Sequence, residues 1–201
     1  MTTTDDRNAK IDGDRGRLPP AKLAHVVRRT SRFDEMLHWY QVVLGAEIVH
    51  ADAMLAFLTY DDEHHRLAIA HIPGLEDQPA LAAGTDHVAF THADLGDLLY
   101  TYVRLEREGI EPYWCINHGP TTSMYYKDPD GNGIELQVDN FPTTEDTNRW
   151  MRSGDFAENP IGVLFDPREL LARFRAGEPI EQLVARAALP DGVSPFDQLK
   201  L

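Results

Sequence analysis

Apolar positions along this chain fall into two successive blocks with the same internal order. Each block opens on a short alternating segment containing His-Val, KLAHVV around His25-Val26 and TDHVAF around His87-Val88. Each then changes from a period of two to a helical period. Phe33, Met36, Leu37, Tyr40 and Leu44 make one apolar stripe, and Leu95, Leu98, Leu99, Tyr102 and Leu105 make the other. Ser31 with Asp34 is expected to form a capping box, and Asp94 to cap the second helix. Gly45 and Gly109 follow the stripes, where a left-handed residue ends a helix. Short strand-like runs come next: AEIVHA, MLAFLTY and RLAIAHI in the first block, EPYWCI, SMYY and GIELQV in the second. Turn-forming DDEHH, NHGP and DPDGNG separate them. The chain thus reads β-α-β-β-β twice. The expected class is α+β, with two half-barrels side by side around a shared cleft.

The modules cover about residues 21–75 and 82–140 of a domain spanning 21–140. Residues 1–20 are polar and punctuated by Gly and Pro, which predicts a flexible lead-in without a secretory signal. From Phe141 the pattern changes. DPRELLARFRAG predicts a helix with Asp166 as N-cap, Pro167 at its first position and Gly177 beyond its end. A shorter helical piece is expected around Ile180 to Ala188. The segment 141–201 is read as a partly helical tail that wraps the core or contacts another subunit, without chemistry of its own.

Charge narrows the partners. The formal net charge is −14, which argues against nucleic acid and against anionic membrane surfaces. The single cysteine, Cys115, excludes an intrachain disulfide framework and fits a reducing cytoplasm. No apolar run is long enough to cross a bilayer. A small-molecule or protein partner remains, and a homo-oligomer is compatible with the acidic surface and the tail.

His25 and His87 hold equivalent places in the two blocks, and Glu135 lies between Ile134 and Leu136 in the last strand. A buried carboxylate usually has a cation for company. Two imidazoles and one carboxylate on rigid strands are the makings of a facial triad for non-haem Fe(II). Read singly, each has a more ordinary meaning: a core or edge histidine, a solvent-facing glutamate.

The stretch INHGPTTSMYYKDPDGNGIE resembles the type I extradiol ring-cleavage dioxygenases of the vicinal-oxygen-chelate superfamily. It supplies His118, Met124, Tyr125, Asp128, Pro129, Gly131 and Glu135 in the family's order. DDEHHRLAIAHIP (Asp61 to Pro73), LAHVVRRT and TDHVAF are similar to three further motifs of that family, so the resemblance covers about residues 22–140. It implies paired βαβββ modules in a one-domain member, with His25, His87 and Glu135 binding Fe(II), or Mn(II) in its place. The implied substrates are O2 and a catechol, of the catechol or 2,3-dihydroxybiphenyl type. His65 is implied to take and return the substrate proton, and His118 and Tyr125 to hydrogen-bond substrate oxygens. Phe57, Trp114, Met124 and Phe141 suit a hydrophobic ring without excluding a monocyclic one. Two rivals share the fold. A glyoxalase-like isomerase wants a fourth protein ligand, for which Arg66 to Ala70 has no carboxylate or amide. A metal-free ligand-sequestering resistance protein would have no use for the triad.

Overall fold

The computed structural model describes residues 11–79 and 82–200. Half of the expected lead-in, residues 1–10, lies outside the described residues.

The first block folds as β1 (Val26–Thr30), α1 (Phe33–Leu44), β2 (Glu47–Ala51), β3 (Leu55–Thr59) and β4 (Leu67–His71). The second repeats the order as β5 (His87–Thr91), α2 (Leu95–Arg107), β6 (Trp114–Asn117), β7 (Thr121–Lys127) and β8 (Gly133–Asp139). In each, the first strand pairs in parallel with the last, and the intervening strands run antiparallel outward from it. The result is a sheet in the order β1-β4-β3-β2 and a second in the order β5-β8-β7-β6. The paired βαβββ architecture expected from the repeat is therefore present.

Both helices bury their apolar stripes in one hydrophobic cluster that draws side chains from both modules. Leu95, Leu98, Leu99, Tyr102 and Leu105 are all buried, and α1 contributes Phe33, Met36, Trp39, Tyr40 and Val43. Asp94 caps α2 by accepting from Asp97 N at 2.9 Å. The expected Ser31 box does not form. Thr30 Oγ1 accepts from Arg32 N at 2.8 Å, Ser31 Oγ donates to the Leu75 carbonyl, and Arg32 becomes an N-cap without side-chain capping. A β-branched hydroxyl one residue earlier has taken the local turn.

The modules are joined through the Asp128–Asn132 turn. The buried Asp128 carboxylate accepts from the backbone N of Asp130 and Asn132 and from Asn132 Nδ2. It also accepts from the Tyr40 hydroxyl of α1 at 2.9 Å. Arg32 bridges Asp130 and Asp77, and Arg28 reaches Asn132 Oδ1.

The tail adds α3 (Thr144–Met151), α4 (Gly154–Glu158), β9 (Val163–Leu164), α5 (Pro167–Arg175) and α6 (Ile180–Leu183). β9 extends the second sheet beyond β6, while Leu170 of α5 and Leu183 of α6 enter the main cluster. Asp166 and Pro167 open α5 as the sequence predicts. The second helical piece ends at Leu183, short of Ala188. Among the described residues no helix is long and apolar enough to cross a membrane.

Candidate active site

Register in the second sheet places a row of side chains on one face. Ala89, Glu135, Tyr125 and Trp114 are successive cross-strand partners on β5, β8, β7 and β6. Side chains alternate along a strand, so His87 shares the face with Ala89, and His118, just past the end of β6, follows Trp114 and Ile116. Tyr126 turns the other way, into the main core.

Glu135 is only 5% exposed. His87 Nε2 lies 3.0 Å from its Oε2, and His87 Nδ1 lies 2.6 Å from Asp86 Oδ2. The close approach of β5 to β8 depends on Gly133, where a Cβ would lie 2.5 Å from the Asp86 carbonyl and 2.9 Å from His87 Cβ. This pair suits one edge of a divalent-cation site. In octahedral coordination two adjacent ligands about 2.1 Å from such an ion are about 3.0 Å from one another, and metal-binding histidines usually give their other nitrogen to a carboxylate.

Beside the pair, the Tyr125 ring meets His87 edge-on at 5.2 Å, and its hydroxyl lies 2.9 Å from His118 Nε2. His118 Nδ1 donates to the Ile161 carbonyl in the tail. Burial, then the charge of Glu135 and a hydrogen bond to it, push the Tyr125 phenol well above its ordinary value. The phenol therefore stays protonated, with one O–H proton between two acceptors, Glu135 and His118. Burial lowers the His118 pKa, partly offset by the Ile161 carbonyl and Glu135. Trp114 packs on Tyr125 at 4.6 Å, and its buried indole N–H has no partner.

His65 and His25 form a separate stack. The His65 ring lies 4.5 Å from both His25 and Phe57, and its Nδ1 is 2.6 Å from that of His64. Burial and the neighbouring histidines lower its pKa. His25 is exposed and sits one residue before β1. Among the described residues no group of three His, Cys, Asp or Glu side chains is gathered as a metal would need. The structure thus assembles His87 and Glu135 with Tyr125 and His118, and leaves His25 with His65. The donor types of all three proposed ligands fit a divalent cation; the assembled geometry fits it through two of them.

Sequence reasoning missed Asp86, the Ile161 carbonyl and the residues that hold Ile161. Asp86 was within reach, as a carboxylate adjoining a candidate ligand histidine. A backbone carbonyl leaves no residue-type signal at all. A large cleft, about 1410 Å³, lies against the tail and is lined by Asn140, Phe141, Trp150 and Arg186 among others. None of the six candidate site side chains lines it, so its size does not make it the reaction site.

A family model described as the Glyoxalase/Bleomycin resistance protein/Dioxygenase superfamily matches residues 22–136. The chain belongs to this superfamily. Among superfamily relatives, biphenyl-2,3-diol 1,2-dioxygenase 2 of Rhodococcus globerulus is 46% identical over 167 residues, covering 83% of this chain and 88% of the relative. Biphenyl-2,3-diol 1,2-dioxygenase 3 of the same organism is 43% identical over 168 residues, with the same coverage. A solved superfamily structure, a candidate glyoxalase from Bacillus halodurans, superposes with a TM-score of 0.51 at 15% identity, over 59% of this chain and 96% of that one. At that identity it speaks for the shared fold alone.

Proposed function

We propose that this superfamily member is an extradiol dioxygenase, which opens the ring of a catechol beside the diol and incorporates both atoms of O2. The observation that carries this is the buried Glu135 facing His87 Nε2 at 3.0 Å with the Tyr125–His118 pair alongside. It occurs in a chain 46% identical to a biphenyl-2,3-diol dioxygenase. A 2,3-dihydroxybiphenyl-type substrate is the first choice, in keeping with Trp114 packed on Tyr125.

His25, His87 and Glu135 are the residues that would hold Fe(II), and Mn(II) suits the same donors. When bound, the metal would supply the redox-active centre through which the electrons of the catechol reach dioxygen. The chain's own groups do the rest. Tyr125, kept protonated, gives its one O–H proton to His118 Nε2, so its oxygen is left to accept from a catechol hydroxyl and orient the ring. His118, with Nδ1–H fixed on Ile161, presents a bare Nε2 that accepts. His65, neutral at pH 7, takes a proton from the substrate hydroxyl and returns it after ring opening. A fourth metal ligand, which a glyoxalase-like isomerase would need, is not offered by His71, whose Nδ1 faces the Ala53 carbonyl at 3.2 Å.

A cytoplasmic homo-oligomer belongs to the same proposal. It is supported by the buried free thiol of Cys115 and by the edge strand β2, which exposes Ile48 and Val49; light scattering tests the assembly. The catalytic test is anaerobic reconstitution with Fe(II), addition of catechols including 2,3-dihydroxybiphenyl, then admission of oxygen. One O2 consumed per yellow ring-opened product, lost in Glu135→Ala and His87→Ala, is the expected result. A metal-loaded protein inert toward the whole panel, or one that binds no metal, would overturn it.

A further inference from the structure

Resting on that reading of His118, we propose that Asn159 and Arg186 are positioning residues: through the Ile161 carbonyl they hold the His118 imidazole in its Nδ1–H tautomer, with Nε2 left as an acceptor toward Tyr125. The tail is then part of the reaction machinery, although among the described residues none of its side chains hydrogen-bonds or ion-pairs with Glu135 or His87.

The clamp is built from the sequence outward. Asn159 is a buried polar side chain with each of its amide atoms engaged. Its Oδ1 accepts from Ile161 N at 3.1 Å and Gly162 N at 2.8 Å, and its Nδ2 donates to the Gly162 carbonyl at 2.9 Å. The 159–162 turn is therefore fixed around one side chain. Gly162 presses it against the end of β6, because a Cβ there would lie 2.5 Å from the Asn117 carbonyl. Arg186 closes the other side. Its guanidinium donates to the carbonyls of Asn159 at 2.7 Å, Asp155 at 2.8 Å and His118 at 3.4 Å, and its Cζ sits 4.8 Å over the Trp150 ring. Trp150 in turn lies where a Cβ on Gly119 would be.

Only one ring atom of His118 meets this frame: Nδ1, against the Ile161 carbonyl. A carbonyl can only accept, so Nδ1 must carry the proton. In the neutral ring Nε2 is then bare, and the Tyr125 hydroxyl at 2.9 Å donates to it. The opposite tautomer would point an N–H at the Tyr125 oxygen and turn a lone pair toward the Ile161 carbonyl. Loss of the clamp frees the ring to adopt it.

The decisive measurement needs neither metal nor turnover. Long-range ¹H–¹⁵N correlation spectra of the metal-free protein report which nitrogen of His118 is protonated, with His118→Gln identifying the resonance. The expected result is a wild type dominated by the Nδ1–H form and a mixture in both Arg186→Ala and Asn159→Ala, with Arg186→Lys restoring part of the wild-type pattern. In the reconstituted enzyme, kcat for a catechol should fall roughly ten- to a hundredfold in Arg186→Ala, with KM within about twofold. In a His118→Gln background the same substitution should change kcat little. An unchanged tautomer in folded Arg186→Ala and Asn159→Ala, or an equal loss of kcat in the His118→Gln background, would overturn the proposal. Because the tautomer is read without metal, a protein that turns over no catechol refutes the dioxygenase reading while leaving the clamp to be judged by the spectra.

Discussion

At the scale of single residues, the site depends on where protons sit. His118 and His92 both have pKa values lowered from 6.5, chiefly by burial. A base whose folded pKa is depressed binds fewer protons in the folded chain than in the unfolded one, so folding should weaken as pH falls below the ordinary value. Their contribution is complete above pH 6.5 and is lost progressively beneath it. The paired carboxylates, such as Asp52 and Asp77, are shifted downward from 3.8 and weigh in only at lower pH. Between pH 7.5 and 5.5 the urea midpoint of the metal-free protein should therefore fall, and the slope should be shallower in His92→Gln. An unchanged midpoint across that window would show that neither ring is charged at a cost on folding. The same residue scale explains why Glu135 could be singled out from sequence. A carboxylate flanked by Ile134 and Leu136 on an apolar strand is an inconsistency that function explains better than packing. Whether it met His87 was not legible, because that depends on Gly133 letting two backbones approach.

At the scale of elements, period did most of the work in the sequence. The Leu95 to Leu105 stripe fixes one face of α2 unambiguously, and most strand runs appear within a residue or two of where alternation puts them, while β1 and β6 start later, at Val26 and Trp114 instead of Lys22 and Glu111. Two features escaped. Ser31 lost its capping role to the neighbouring Thr30, a competition between equivalent hydroxyls that spacing cannot decide. The Asp-Pro-Asp-Gly-Asn turn read only as a turn and as part of a motif, yet its buried Asp128 ties β7 and β8 to α1 through Tyr40. This latch carries a stability prediction. Tyr40→Phe removes one hydrogen bond to a charged group and should cost about 1.5–3 kcal/mol. Asp128→Ala strands the Tyr40 hydroxyl and three turn donors and should cost more, on the order of 3–4 kcal/mol. Urea denaturation at pH 7.5 measures both. Equal, small losses would mean that the turn closes on its own and that the modules are held by the apolar cluster alone.

At the scale of the whole molecule, the three candidate ligands come from both modules, and the fold pairs the two of the second module while His25 of the first stacks on His65. The repeat made His25 and His87 equivalent in sequence. In the fold they have different surroundings: His87 has Asp86 and Glu135 on its two nitrogens, while His25 stacks on His65 outside that pair. Metal affinity therefore tests the assignment more sharply than activity does. A ligand that binds only the folded chain at about a hundred times its Kd stabilises it by ~2.7 kcal/mol. For a chain of this length that is a rise in Tm of roughly 5–10 °C. Fe(II) added anaerobically should produce such a rise in the wild type and none in Glu135→Gln or His87→Ala. For His25→Ala the rise should shrink to a small fraction of the wild-type value at the same Fe(II) concentration, since one of three protein ligands is gone. A full shift in His25→Ala would remove His25 from the site, restrict protein ligation to the β5–β8 pair, and leave the His25–His65 stack to be explained by its contact with Phe57.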